Sequence, residues 1–98
     1  MIVGSLRLDV LLGDVHSLKG KRSLVRPVLA ELRRRYEVSA AETGAHDLHR
    51  RAELGVALTG ADTEHVRSVL QACEQLVAGR PELELLAARL RVWDDEDE

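Results

Sequence analysis

RAELGVALTGADTEHVRSVLQACEQLVAGRPELELLAARLRVW, residues 51–93, changes its hydrophobic period twice, and that change decides the fold. In residues 51–59, Ala52, Leu54, Val56 and Leu58 alternate with Arg51, Glu53 and Thr59, the period of two of a half-buried strand. Asp62 is a good helix N-cap. Val66, Val69, Leu70, Cys73, Leu76 and Val77 then recur at helical spacing as one apolar stripe. Gly79 is placed to cap that helix, and Pro81 bars its continuation. From Leu83 to Trp93 the period returns to two, with Leu86, Ala88, Leu90 and Val92 expected to be buried. The stretch is strand, helix, strand.

The first half has the same grammar. Ile2, Leu6, Leu8, Val10 and Leu12 share one face, with Gly4 between them, while Ser5, Arg7 and Asp9 take the other, until Gly13-Asp14 ends the strand. Val25, Val28, Leu29, Leu32 and Tyr36 mark a helix. Gly20 weakens its first turn, and Pro27 lacks the N–H that an interior turn needs. The regular helix is therefore expected to begin or kink near Ser23, with residues 17–22 as a separate turn. Ser17 and Ser23 both suit caps. Residues 37–43 read as a short strand and 44–50 as a loop.

The order β-α-β-β-α-β, with one apolar face per element, predicts an α+β ferredoxin-like sandwich: a four-stranded antiparallel sheet with both helices on one face. Right-handed crossovers put the first and third strands in the centre. The other face of the sheet stays open, showing Ser5, Arg7, Asp9, Glu53, Arg89 and Arg91 with Val3, Leu11 and Trp93 among them. Residues 1–93 form the domain, and 94–98 a disordered tail.

The net charge of −3 conceals an uneven distribution. The chain closes on five consecutive acids, Asp94–Glu98, and without them it is slightly basic. Between Ser17 and Tyr36 stand Lys19, Lys21, Arg22, Arg26, Arg33, Arg34 and Arg35, half of the 14 basic residues, against the single acid Glu31. Cations at a helix N-terminus oppose the macrodipole. His16, Ser17, Lys19, Lys21 and Arg22 thus sit where acids would stabilise the helix, and contact with phosphate explains them. A solvated helix face is the plain alternative. With Tyr36 and Trp93 the only aromatics, the central strands offer no stacking platform for single strands, whereas phosphate contacts with structured RNA need none.

Other chemistries find less support. Cys73 lies on an apolar stripe and reads as core. A lone cysteine excludes an iron–sulfur ferredoxin or a CxxC chaperone, and the absence of Asn removes the water-orienting residue of an acylphosphatase. His46, Asp47 and His49 are too few for a zinc site, and Asp47 and His49 are expected to order the loop by local hydrogen bonds. No phosphate-binding glycine motif occurs. Neither a catalytic residue nor a metal nor a cofactor is expected. The chain lacks the roughly 18–20 apolar residues of a membrane span, and its start reads as a strand instead of a signal peptide. A cytoplasmic protein is expected. Trp93, Leu85, Leu11 and Val3 are expected to form an apolar patch on the open face, through which the chain would make a homodimer.

The run His16-Ser17-Leu18-Lys19, Lys21-Arg22-Ser23, the helix ending Leu32–Ser39, and Asp47-Leu48 with Arg51-Ala52 and Leu54-Gly55 resemble the bacterial YlxP-like family (domain of unknown function 503). The family often has Asp where Gly20 stands and Trp where His49 stands. The resemblance implies a ferredoxin-like fold. Family genes tend to lie beside those for transcription factor NusA, a translation initiation factor and ribosome-binding factor A, which implies a role near RNA or ribosome maturation. The leading expectation is an accessory factor that binds RNA or a ribosomal particle through Lys19, Lys21, Arg22, Arg26, Arg33 and Arg34, with His16 and Ser17 beside them. The alternatives are a homodimeric protein-interaction module, and a small-ligand or anion-binding protein using the loop after the first strand, with Asp14 and His16.

Overall fold

Strand β1 (Ile2–Leu12) is the spine of the sheet, pairing antiparallel with β3 (Arg51–Gly60) on one side and β4 (Leu83–Asp94) on the other. Strand β2 (Ser39–Gly44) adds to the far side of β3, so the order is β2-β3-β1-β4. Helices α1 (Leu18–Tyr36) and α2 (Thr63–Ala78) complete the sequence β1 α1 β2 β3 α2 β4. This computed structural model, which describes residues 1–97, has the ferredoxin-like arrangement that the hydrophobic pattern predicts, with β1 and β3 central.

One core lies between the helices and the sheet. Leu6, Leu8, Val10 and Leu12 of β1 meet Val25, Val28 and Leu32 of α1 and Val66, Leu70, Cys73 and Val77 of α2, all buried. Tyr36 packs at its margin, and the fully buried residues are aliphatic apart from Cys73 and Lys21. Gly4 sets the approach of α2: a Cβ there would come 2.4 Å from Val66 Cγ1 and 2.8 Å from Leu70 Cδ1.

Four expectations are corrected. Helix α1 runs unbroken from Leu18, capped by Ser17, whose Oγ accepts from the Gly20 N–H at 3.0 Å. Pro27 sits inside the helix with its ring exposed, where it crowds no neighbouring element. Ser23 is no cap: its hydroxyl donates to the Lys19 carbonyl one turn back. Strand β2 starts at Ser39, because Glu37 adopts the left-handed region (φ 53°) and closes α1.

In β4 a register shift opposite Asp9 and Val10 inserts one residue, so Val10 pairs with Leu85 and Asp9 with Ala87. A bulge of this kind reverses the side-chain phase beyond it. Leu85 therefore turns to the core, and Leu86, expected inside, is exposed; beyond the bulge Leu90 and Val92 pack against the core as read, while Ala88, in register with Leu8, is exposed all the same. Strand β4 also extends to Asp94. Asp95 donates its N–H to the Met1 carbonyl, and its carboxylate lies 2.9 Å from the Met1 ammonium. The hydrogen bond from the ammonium to that carboxylate raises the amine pKa and lowers that of Asp95. Asp95 and Glu96, read as tail, form a turn, and Glu98 lies outside the described residues.

Candidate nucleic-acid interface

Helix α1 turns Lys19, Arg22, Arg26 and Arg33 to one side. At about 100° per residue these four fall within an arc of roughly 60°, with Arg34 on its flank. All five are exposed. Among the described residues Lys19, Arg22, Arg26 and Arg34 have no carboxylate partner. The helix's only acid does not neutralise this face: Glu31 is taken by Arg80 beyond the end of α2 and lies 3.7 Å from Arg35. Arg22, Arg26 and Arg33 also rim a groove of about 490 Å³ against β2, floored by Val25, Leu29 and Ala30. The face is a convex cationic ridge with a shallow groove beside it.

Two of the cations do structural work. Lys21, expected to meet a partner, is 2% exposed. Its Nζ donates to the Ala45 carbonyl at 2.6 Å and lies 2.6 Å from Glu42 Oε2. The latter contact is an ion pair by distance, without the alignment of a hydrogen bond. Arg33 donates from Nε and one terminal nitrogen to the Ala40 carbonyl, at 3.0 and 2.7 Å. Together they tie α1 to the edge strand β2. Lys21 is therefore withdrawn from the contact surface, and Arg33 keeps only part of its guanidinium for it.

The remaining candidates lie close by. Ser17 caps α1 with its hydroxyl. His16 Nε2 is 2.8 Å from Asp14 Oδ1 in the loop after β1, with side chains 84% and 93% exposed. Water on all sides of this pair leaves it no shaped substrate pocket. In the β2–β3 loop the hydrogen bonds come from Lys21 and the Leu48 N–H to the Ala45 carbonyl, and His46 Nε2 bonds the Glu42 carbonyl. The side chains expected to order that loop, Asp47 and His49, are not those that do so. Among the described residues no three metal-ligating side chains converge. The expected apolar patch is divided: Leu85 faces the core, and Val3 lies opposite Trp93 at one end of β1. Leu11 is eight residues away, about 27 Å along the strand. A cleft of about 470 Å³ between Tyr36, Glu37, His65 and Val69 contains none of the candidates.

The fold and this ridge define a small α+β protein with a cationic face on its first helix. The chain belongs to the family described as "Protein of unknown function (DUF503)", whose model matches residues 3–90. A comparison with curated proteins found no match. No helix among the described residues is long and apolar enough to cross a membrane.

Proposed function

We propose that this protein is a binding factor for RNA, or for a ribosomal particle, and that it makes phosphate contacts through Lys19, Arg22, Arg26 and Arg34 on α1. The observation that carries the reading is the alignment of Lys19, Arg22 and Arg26 on one exposed helix face, with no acid paired to them among the described residues. Unpaired cations crowded on a helix repel one another, and like charges at this spacing destabilise it. A polyanion relieves that repulsion and gains the entropy of released counterions. The family's gene neighbours point the same way. The reading assigns binding, with no catalytic step, and a cytoplasmic setting.

The test is a pull-down from bacterial lysate, with and without nuclease, comparing wild type with Lys19→Glu/Arg22→Glu/Arg26→Glu. Lys21 is left intact because it is buried. Recovery of ribosomal RNA or subunits by wild type and not by the variant supports the reading. With purified RNA, each reversed charge should reduce the slope of log affinity against log salt by about 1. Equal recovery of the same proteins by both forms after nuclease overturns it, and leaves the homodimeric protein-interaction module as the better account.

A further inference from the structure

The open face of the sheet carries a second set of unbalanced cations, on the side opposite to α1. Arg7 lies directly across from Arg89, and Ser5 across from Arg91, so three guanidiniums share one patch of the β1–β4 ladder. All three residues are exposed. Like charges directly opposed in a sheet are destabilising. Arg7 has distant relief from Glu53, 3.9 Å away, while Arg89 and Arg91 have no carboxylate partner among the described residues. Trp93 closes the row, 39% exposed, with the Arg91 guanidinium 5.4 Å from its ring centroid. On the other side of Arg7 the surface is low, because Ser5, Gly55 and Ala57 are small, and a trough of about 320 Å³ runs there.

From this we infer that the β1–β4 face is a separate binding site for a single-stranded polynucleotide, with Arg7, Arg89 and Arg91 on phosphates and one base stacked on Trp93. Guanidiniums alone would serve any polyanion. The aromatic at the end of the row selects for a ligand that has planar bases between its charges, since base–aromatic stacking tolerates any sequence. The site lacks the central-strand aromatics of an RNA-recognition motif and depends on an edge strand instead. It does not rest on the α1 reading, because the helix lies across the sheet from it.

Trp93 is the only tryptophan, so its emission reports this site and no other. The experiment titrates the full chain with a twelve-nucleotide oligoadenylate and, separately, with polyglutamate of equal charge. The expected result is quenching of Trp93 by the oligonucleotide alone. Binding should weaken about 20-fold between 50 and 200 mM salt, from a slope of about −0.7 for each of three phosphates. Arg89→Ala/Arg91→Ala, two exposed changes that leave the core untouched, should lose about tenfold in affinity. Trp93→Leu, followed by anisotropy of a labelled oligonucleotide, should weaken binding as well. Lys19→Glu/Arg22→Glu/Arg26→Glu should keep the quench. The inference is overturned by no quench, by equal binding of polyglutamate, or by loss of oligonucleotide binding in the α1 variant and not in the β4 variant.

Discussion

Lys19 and Lys21 stand two residues apart in the same basic run, and the fold gives them opposite tasks. Lys21 falls on the apolar arc of α1, four residues before Val25 and seven before Val28, so its position was readable from phase once the helix was extended to Ser17. The expectation that Pro27 would delay the helix hid it. Losing one partner of a buried pair leaves the other uncompensated and costs about 3–5 kcal/mol. Glu42 is 20% exposed, which favours the lower end. Lys21→Ala should therefore cost about 3 kcal/mol in urea unfolding, while Lys19→Ala should stay within about 0.5 kcal/mol. Cys73, by contrast, reads the same in sequence and structure: it is fully buried, and burial pushes its thiol up to about 11. Native protein at pH 8 should resist iodoacetamide and react only once unfolded. Above the ordinary thiol value of 9.0 the unfolded chain ionises and the folded one does not, so stability falls as pH rises from there towards 11.

Elements were legible wherever hydrophobic period and punctuation agreed. Asp62, Gly79 and Pro81 bound α2 as read, because each acts on the backbone beside it. Strand β4 was legible as a strand and in phase from Ala88 to Val92 but not before, since the bulge opposite Asp9 and Val10 depends on how β4 meets β1 and leaves no local mark. Leu85 and Leu86 are indistinguishable by composition, yet only the first reaches the core. Leu85→Ala should cost about 1–2 kcal/mol and Leu86→Ala less than about 0.5 kcal/mol, measured as shifts in the urea midpoint at unchanged slope. Equal costs would mean that the register runs through without a bulge. Pro27 shows the converse: a strong local rule gave way to tertiary contacts that hold the helix at both flanks, by Lys21 and by Arg33.

For the whole molecule, the architecture followed from patterning, since packing both helices on one face of a four-stranded sheet buries every element's apolar face. The cationic ridge was legible as charge density along the chain. Arg7, Arg89, Arg91 and Trp93 were legible as sharing the open face, but Arg7 and Arg89 are 82 residues apart in sequence and only the β1–β4 register makes them direct neighbours. The two edges of the sheet also differ. At β2, Arg33 and Lys21 occupy the carbonyls of Ala40 and Ala45, and α1 lies alongside. At β4, eleven of the twelve residues pair, all with β1 on one side only. Unpaired strand edges are templates for recruiting another chain. Ladder growth needs an open edge on each side of the subunit, and the two here are unequal: β2 has six residues, one of whose carbonyls Arg33 takes, and β4 has twelve. Association by strand addition is therefore expected first as a closed pair, β4 against β4, so sedimentation at rising concentration should show dimer before any larger species. The residue that holds a helix in place also narrows the shorter edge to fibril growth.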